Sequence, residues 1–274
     1  MANEAEARRW NDDRWATAWP KRERLTETVS PFLLRHVAAR PGQRVCDIGC
    51  GGGGLTIELA NAVSPGGAAL GVDLSAPLLD LARRRAAEAG SQAAFVELDV
   101  QIGTLDLDPY DVVVSQFGVM FFDEPTNAFR RIRRLLVDGG RLVFACWQGV
   151  ERNPWHVGTA LRPLVPPPPT PPPGKSPVGP FAFGDEEYVG ELLEGAGFVG
   201  VSCTPYETSA RAPASALFDR TLLPLMGIGP EQEAEALTLV ERHLQRFAVG
   251  EGDAVGEGEY EYPLAFFVFA AVNP

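Results

Sequence analysis

The sequence predicts an α/β protein built on a mostly parallel sheet with helices on both faces. Strand-like apolar runs alternate with helix-like segments through residue 147, as in consecutive βαβ units. One of these runs is almost entirely valine, which is typical of a parallel strand buried on both faces. Three of the runs end at an aspartate, namely Asp47, Asp73 and Asp99. Ligands of such sheets bind beyond the carboxyl ends of the strands, so these acids are expected to meet at one site.

The first elements are a helix, a strand and a glycine-rich turn. Residues 26–39 place apolar side chains near helical spacing, and Pro41 with Gly42 ends that pattern. A short apolar strand is predicted at 44–47. The glycines that follow lead into a helix at 55–63, which the Ser-Pro-Gly-Gly turn at 64–67 closes.

The next strands and helices carry clear boundary signals. The strand at 68–73 is followed by Ser75, a natural N-cap, and the helix at 77–89 has a proline in its first turn and a glycine beyond its end. A third strand is predicted at 93–98 and the valine-rich fourth strand at 110–116. A basic amphipathic helix at 129–137 then leads to a fifth strand at 141–147.

The second half of the chain breaks this alternation. A proline tract at 166–173 predicts an extended surface excursion. Asp185 is the expected cap of a helix that ends at Ala196, and a sixth strand is predicted at 198–206. Residues 212–249 are expected to be mostly helical with interruptions, and a last apolar strand follows at 262–272.

The turn after the first strand is the clearest chemical signal. It reads Asp-Ile-Gly-Cys-Gly-Gly-Gly-Gly from Asp47 to Gly54. Glycines let the backbone approach a ligand closely, and free N–H groups at the start of a helix add a polar surface for it. The stretch also matches the dinucleotide fingerprint G-x-G-x-x-G literally. Asp47 favours a different ligand, because nicotinamide sites have no standing need for a carboxylate at that position.

At these residues the sequence resembles the class I S-adenosylmethionine-dependent methyltransferases. Asp47, Gly49, Cys50 and Gly51 are similar to the first motif of that family. The stretch from Gly71 to Ser75 looks like the second motif, which implies that Asp73 binds the ribose hydroxyls and that the next residue packs on adenine.

Two further stretches carry the same resemblance. Asp99 and Val100 look like the third motif, which implies a carboxylate on the adenine amino group and a backbone N–H on a ring nitrogen. Residues 110–117, which include Ser115, are similar to the fourth motif. The resemblance implies a Rossmann-like methyltransferase fold with a seven-stranded sheet, S-adenosylmethionine as the cofactor, and a helical or irregular cap over the acceptor site. The expected cofactor-binding residues are Asp47, Gly49, Cys50, Gly51, Asp73, Leu74, Asp99, Val100, Ser115 and Trp15.

We expect one methyltransferase domain over residues 1–274, with the acceptor site formed by segments outside the core. Its predicted parts are an N-terminal lid at 1–30, a cofactor-binding core at 31–148, a proline-rich insert at 149–182, a return to the core at 183–207, a cap insert at 208–258 and a last strand at 259–274. The lid is predicted from three tryptophans in a charged segment, of which Trp15 is expected to face the cofactor. The aromatic and apolar residues of these segments favour a small, largely apolar or aromatic acceptor.

Methyl transfer from a sulfonium requires alignment more than acid–base catalysis, because the donor is already activated. The sequence identifies no certain catalytic residue, and His156, which follows the fifth strand, is the one candidate base. Two other functions stay open. A nicotinamide-dependent oxidoreductase would use the glycines and Asp73 but leaves Asp99 unexplained, and a non-catalytic cofactor-binding module would lack an enclosed acceptor pocket.

Composition limits the partners. The net charge is −12, and an acidic surface repels phosphate backbones, which argues against a nucleic-acid substrate. No apolar run reaches the ~20 residues of a membrane span, and the charged start of the chain does not look like a secretory signal. The four cysteines show no metal-ligand spacing, so we expect no metal and a reduced, cytoplasmic location. The oligomeric state cannot be read from the sequence.

Overall fold

The computed structural model describes residues 4–103, 109–165, 178–249 and 258–274. One sheet of seven strands runs through these residues. The strands are β1 (Arg44–Ile48), β2 (Ala68–Asp73), β3 (Ala94–Glu97), β4 (Tyr110–Gln116), β5 (Leu136–Trp147), β6 (Val199–Pro213) and β7 (Glu259–Val272). The proline tract at 166–173 lies outside the described residues.

The strand order is β3-β2-β1-β4-β5-β7-β6. The first five strands pair in parallel, whereas β7 runs antiparallel to both β5 and β6. The order reverses between β1 and β4, which creates the switch point at which ligands of open α/β sheets bind. The predicted mostly parallel, seven-stranded, Rossmann-like sheet is confirmed.

The helices connect and cover these strands. They are α1 (Glu4–Trp10), α2 (Asp13–Glu27), α3 (Ser30–Val37), α4 (Gly54–Val63), α5 (Ala76–Glu88), α6 (Pro125–Arg133), α7 (Gly158–Leu161), α8 (Glu186–Gly195) and α9 (Glu233–Leu244). Short 3-10 helices lie at Val119–Phe121, Val150–Arg152, Ala214–Ala216, Arg220–Met226, Pro230–Gln232 and Gln245–Phe247. None of the helices in the described ranges is long and apolar enough to cross a membrane.

The centre of the sheet forms the core. The valines of β4 at 112–114 are fully buried, as predicted for a strand covered on both faces. The predicted N-caps are also present. Ser75 accepts a hydrogen bond from the backbone N–H of Leu78 at 3.4 Å, and Asp185 accepts from the N–H groups of Glu187 and Tyr188. These caps fix the directions in which α5 and α8 leave the loops beside the site.

Several predicted boundaries were wrong. The helix predicted at 129–137 is α6, which begins at Pro125 and ends at Arg133, because a proline favours the first helical position. Residues after it were assigned to that helix, yet Leu136 already pairs with Tyr110 of β4. The helix predicted at 26–39 is divided between the end of α2 and α3.

Strand β6 is longer than predicted. It was expected to end at 206, but it continues to Pro213, past residue 208, where the predicted cap insert begins. Ala210 and Ala212 are buried and pair with Tyr262 and Tyr260 of β7, which extends the antiparallel ladder. The following segment contains mainly 3-10 turns, and α9 is its one long helix within the described residues.

Candidate active site

A cavity of about 600 Å³ opens at the carboxyl ends of the central strands, and this volume is typical of small-molecule sites. Three groups of residues surround it. The loops after β1, β2 and β3 line one end, the helices α1 and α2 cover it, and the segments after β4 and β5 together with the 3-10 turns near residues 216–226 line the other end. The acids at the ends of the first three strands, Asp47, Asp73 and Asp99, all line this cavity, as predicted.

The glycine-rich turn is folded against the end of β2. The backbone N–H groups of Gly49 and Cys50 both donate to the carbonyl of Val72, at 2.8 and 3.2 Å. Gly49 has a φ of +70°, and a Cβ at this position would lie 2.8 Å from the Cα of Gly118. A side chain is therefore excluded at Gly49 by both backbone conformation and space.

Asp73 joins the glycine-rich turn to the start of α5. One carboxylate oxygen accepts from the N–H of Gly51 at 2.8 Å, and the other accepts from the N–H of Ser75 at 2.9 Å. Burial raises the pKa of this carboxyl, and the two backbone donors act in the opposite direction. Each oxygen can accept a second hydrogen bond, so the carboxylate is held in place and still has capacity for a ligand in the cavity.

Asp47 is the most deeply buried acid of the site, with only 2% of its surface exposed. The hydroxyl of Thr56 donates to its carboxylate at 2.7 Å. Burial raises the pKa of Asp47 to about 7, and the charge of Asp73 adds to this rise. The Asp47 side chain therefore changes charge near neutral pH, at the floor of the cavity.

The loop after β3 is held by side chains from two directions. Asp99 accepts from the N–H of Gln101 at 2.9 Å, and the guanidinium of Arg131 donates to the carbonyl of Val100 at 3.2 Å. Leu98, Asp99 and Val100 all line the cavity. This loop thus presents a carboxylate and an apolar edge next to the loop that carries Asp73.

The N-terminal helices are attached to these loops by side-chain contacts. Asn11 donates to the carbonyl of Leu74 and accepts from the N–H of Ala76, at 2.9 and 3.0 Å. The hydroxyl of Ser75 donates to the carbonyl of Trp10 at 2.6 Å. These bonds hold the end of α1 over the loop after β2.

A second attachment lies over the glycine-rich turn. Glu23 of α2 forms a 2.6 Å ion pair with Arg85 of α5, and Arg85 also donates to the carbonyl of Gly52 at 3.1 Å. The indole of Trp19 packs closely on the same turn: a Cβ added to Gly52 would lie only 2.6 Å from Cδ1 of Trp19. Trp19 and the Glu23–Arg85 pair therefore cover the turn directly.

The structure does not bring all the expected residues to the cavity. Ser115 is fully buried and outside the lining, where its hydroxyl donates to the carbonyl of Ile48 and accepts from the N–H of Gly118. Gly51 is also outside the lining, and its N–H is occupied by Asp73. Both residues shape the loops rather than face the cavity.

Trp15, the tryptophan expected to face the cofactor, lies beside the cavity. Its side chain lines the cavity, but it is 4% exposed and packs in a cluster with Ala18 and Leu222. The tryptophan that meets the glycine-rich turn is Trp19. The sequence showed that three tryptophans lie near the site, but it could not show which one faces the turn, because that depends on how α2 is rotated.

Aromatic rings dominate the opposite end of the cavity. Phe117 and Trp147 stack with centroids 3.9 Å apart and planes 10° apart, and Trp155 meets Trp147 edge-on at 5.3 Å. Phe117 has a φ of +63°, an uncommon conformation that places its ring across the ends of β4 and β5. Phe218 and Leu222 complete this wall from the segment after β6.

His156 lies in this aromatic end. Its ring meets Phe181 edge-on at 4.9 Å, and within the described ranges neither ring nitrogen has a hydrogen-bond partner. Burial lowers the pKa of His156 to about 4, and the charge of Arg22 is the next cause. The imidazole is therefore neutral at pH 7.

Comparisons with known proteins agree with this geometry. Residues 45–140 match the model of a methyltransferase domain family. The chain is 28% identical to nocamycin O-methyltransferase of Saccharothrix syringae over 196 residues, which is 68% of this chain and 70% of that protein. It is 30% identical to aklanonic acid methyltransferase of Streptomyces sp. over 104 residues, 38% of this chain and 47% of that protein.

A solved structure shows the same fold. A methyltransferase-like protein of Bacillus halodurans superposes with a TM-score of 0.57 at 18% identity, covering 89% of this chain and 98% of that one. Together with the fold, these matches support a class I S-adenosylmethionine-dependent methyltransferase. The family match ends at residue 140, so it includes the glycine-rich turn, Asp73 and Asp99, whereas most of the aromatic end of the cavity lies outside it.

Several residues of this methyltransferase site were not predicted from sequence. Trp19, Arg22, Glu23 and Arg85 all line the cavity. The only signal for Trp19, Arg22 and Glu23 in the sequence was the charged and tryptophan-rich character of residues 1–30, which does not distinguish Arg22 from the other arginines of the segment. Arg85 lies on α5 and carried no such signal. Phe117 was part of the fourth motif, but its positive φ and its stacking on Trp147 are visible only in the structure.

Proposed function

We propose that S-adenosylmethionine lies along the loops after β1, β2 and β3. Asp73 would accept hydrogen bonds from the two ribose hydroxyls, and Leu74 would pack on the adenine. Asp99 would accept from the adenine amino group, while the N–H of Val100 would donate to a ring nitrogen. The support for this arrangement is that Asp73, Leu74, Asp99 and Val100 line one continuous end of the cavity.

The residues present fit this cofactor. The turn at Gly49 has no room for a side chain, so backbone is presented to the cavity where the donor would lie. The carboxylate of Asp73 is fixed by Gly51 and Ser75 and has unused lone pairs for a vicinal diol. Asp47, with a pKa of about 7, would become fully ionised beside a cationic sulfonium, because a nearby positive charge lowers the pKa of a carboxyl.

The second proposal concerns the acceptor, a small, largely apolar or aromatic molecule held at the aromatic end of the cavity. The observation that carries it is the continuity of the cavity from Asp73 to Phe117, Trp147 and Trp155. Stacked and edge-on rings provide flat apolar surfaces that suit aromatic substrates. Two of the methyltransferases similar to this chain are named for nocamycin and aklanonic acid, and we propose an acceptor of comparable type.

The geometry explains how methyl transfer would be promoted. S-adenosylmethionine supplies a methyl group that is already activated by a positively charged sulfur. The cavity walls would hold the acceptor close to the activated methyl group, and the cover formed by α1 and α2 would limit the access of water to the reaction. His156 is neutral and can accept a proton from the acceptor, but its low pKa makes it a weak base. We therefore assign most of the rate enhancement to alignment.

We propose that the chain is a single methyltransferase domain in which residues 1–30 act as a lid and the segment after β6 acts as a cap. Both segments contribute to the cavity lining, which supports these roles. The four cysteines are all free, and on this basis we propose a reduced, cytoplasmic location.

A turnover assay tests the proposal. The protein is incubated with S-adenosylmethionine and a series of aromatic acceptors, and formation of S-adenosylhomocysteine is followed by mass spectrometry together with the methylated product. Trp147→Ala should raise the KM for the acceptor while leaving the dissociation constant of S-adenosylmethionine nearly unchanged. If Trp147→Ala weakens cofactor binding and leaves the acceptor KM unaltered, the two ends of the cavity have been assigned wrongly.

Calorimetry separates this function from the nicotinamide alternative. Titration with S-adenosylmethionine should give saturable binding, and titration with NAD under the same conditions should give none. Saturable NAD binding at the same site would contradict the assignment of Asp73 and Asp99 to a methyl donor.

A further inference from the structure

A guanidinium that is largely without protein partners faces the aromatic end of the cavity. Arg22 of α2 lines the cavity and donates one long hydrogen bond, of 3.4 Å, to the carbonyl of Leu217. Its Cζ lies over the ring of Trp15, 5.2 Å from the centroid. Among the ion pairs formed between described residues, none includes Arg22. A guanidinium carries five N–H donors, so most of its capacity is available to a ligand.

A second guanidinium lies in the same region. Arg9 of α1 lines the cavity, and its Cζ is 5.5 Å and 5.6 Å from the ring centroids of Trp10 and Trp15. Its Nε is buried and has no hydrogen-bond partner within the described part of the chain. Among the described residues its carboxylate partner is Glu6, at a long distance of 3.8 Å. Arg9 therefore adds positive charge to this end of the cavity without being fully neutralised.

Holding the positive charges of Arg22 and Arg9 close together at the cavity is energetically unfavourable unless a negatively charged group lies beside them. Burial lowers the pKa of Arg22 to about 10, and the charge of Arg9 lowers it further, while Asp219 acts weakly in the opposite direction. The protein as a whole has a net charge of −12, so a positive cavity wall is not a consequence of a basic composition. An anionic ligand group would offset both the burial of Arg22 and its repulsion by Arg9.

The position of Arg22 indicates which ligand supplies that group. Leu217, which accepts its hydrogen bond, lies in the segment after β6. Arg22 is also the charge that most strongly lowers the pKa of His156, which places it near the segment after β5. Asp73 and Asp99, the proposed ribose and adenine contacts, lie at the ends of β2 and β3, in the half of the sheet away from β5 and β6. Arg22 thus belongs to the acceptor end.

We infer that the methyl acceptor is an aromatic acid whose carboxylate pairs with Arg22. This inference rests on the proposed function and adds the class of acceptor. The ring system lies among Phe117, Trp147 and Phe218, and the carboxylate accepts from the planar N–H fork of Arg22, a geometry that suits bidentate pairing. Arg9 adds positive charge nearby. Arg22 is therefore a specificity-determining residue, and neutral analogues of the same shape are poor ligands.

Calorimetry on the protein saturated with S-adenosylhomocysteine tests the inference. The probes are 2-naphthoate, biphenyl-4-carboxylate and anthracene-2-carboxylate, each compared with its primary amide. We expect at least one acid to bind the parent roughly 10- to 150-fold more tightly than its amide, since a hydrogen bond to a charged group contributes about 1.5–3 kcal/mol.

Substitution of Arg22 connects this preference to the structure. Arg22→Gln should reduce the acid-to-amide ratio to within about twofold of unity, because the charge is lost while a polar N–H donor is retained on a shorter side chain. Arg22→Lys should give an intermediate ratio. The matched control is Arg24→Gln, since Arg24 lies on the same helix but is exposed and outside the cavity lining. Thermal melts identify any variant that fails to fold, and the comparison of acid with amide in the parent protein needs no variant.

The outcomes that overturn the inference are distinct from failure of the methyltransferase assignment. If none of the acids binds more tightly than its amide, or none binds, the inference is wrong while cofactor binding still stands. If Arg22→Gln weakens S-adenosylmethionine binding about tenfold but leaves 5′-methylthioadenosine binding unchanged, Arg22 pairs with the cofactor carboxylate and the inference is wrong. If the parent does not bind S-adenosylmethionine at all, the proposed function fails and the inference fails with it.

Discussion

Replacement of Asp73 by alanine tests the placement of the cofactor most directly. In the proposed complex the carboxylate accepts from both ribose hydroxyls. Loss of these charge-assisted hydrogen bonds should cost about 1.5–3 kcal/mol in all. The dissociation constant for S-adenosylmethionine should therefore rise roughly 10- to 150-fold.

The structure adds a second effect of this substitution. Asp73 also accepts from the backbone N–H groups of Gly51 and Ser75, so alanine leaves two donors without their partner. Unmade hydrogen bonds of this kind cost about 1–3 kcal/mol each when the donors stay buried. We therefore expect a lower Tm as well as weaker binding. Replacement of a carboxylate that only faced the cleft, without backbone partners, would weaken binding and leave Tm unchanged.

The asparagine variant separates the two effects. Asp73→Asn retains one oxygen acceptor and loses the charge, so its Tm should lie closer to that of the parent and its affinity should lie between those of the parent and Asp73→Ala. Asp80→Ala is the matched control, because Asp80 is an exposed acid on α5 that, among the described residues, forms an ion pair with Arg83 alone, at the surface. It should change neither affinity nor Tm appreciably.

Isothermal titration calorimetry and thermal melts of the four proteins provide the measurements. The reasoning is refuted if Asp73→Ala binds S-adenosylmethionine as tightly as the parent. It is also refuted if the affinity loss appears in Asp80→Ala to the same extent, because the effect would then be one of general charge rather than of a ribose contact.

Three further predictions follow from the acid at the cavity floor and from the N-terminal helices. Burial raises the pKa of Asp47 to about 7 from an ordinary 3.8, so the folded state retains a proton that the unfolded state loses between these values. The contribution of Asp47 to the free energy of unfolding therefore falls as pH rises through that window. Asp47→Asn should for this reason raise Tm more at pH 8 than at pH 4.5. An equal change in Tm at both pH values would show that Asp47 has no raised pKa. Glu23→Gln weakens the pair with Arg85 over the glycine-rich turn and should speed S-adenosylmethionine dissociation several-fold in stopped-flow experiments. The control Arg83→Gln, on the exposed face of α5, should not change the rate. Equal dissociation rates in the two variants would show that the Glu23–Arg85 pair does not help to retain the cofactor. Deletion of residues 1–20 removes Trp10, Trp15 and Trp19 and should weaken cofactor binding in calorimetry, while thermal unfolding stays cooperative. An unchanged affinity would show that this segment only packs on the domain and does not cover the cofactor.

Much of the fold could be predicted because its signals are local. The valine run of β4, the cap at Ser75 and the proline and glycine boundaries of α5 act through neighbouring residues, and the structure reproduces them. The acids Asp47, Asp73 and Asp99 could also be placed together without knowledge of side-chain packing. Each lies at or just beyond the end of a parallel strand, and parallel strands that share a sheet end at the same edge.

The predictions that failed concern contacts between distant segments. The end of α6 was misplaced because Leu136 pairs with Tyr110, a contact that an amphipathic pattern does not show. The length of β6 depends on β7, about fifty residues later in the chain, since a strand continues for as long as a partner satisfies its backbone groups.

The site divides in the same way between sequence and tertiary structure. The sequence by itself determined the cofactor end, because the Gly49 turn and the acids that follow each strand are set by local backbone geometry. Only the tertiary structure decided that Trp19 rather than Trp15 meets the glycine-rich turn, and that Arg22 lines the same cavity as the aromatic rings of Phe117, Trp147 and Trp155. Those orientations depend on how α2 packs against α5 and the segment after β6, and a helix that carries polar and aromatic residues on several faces does not encode which face it buries.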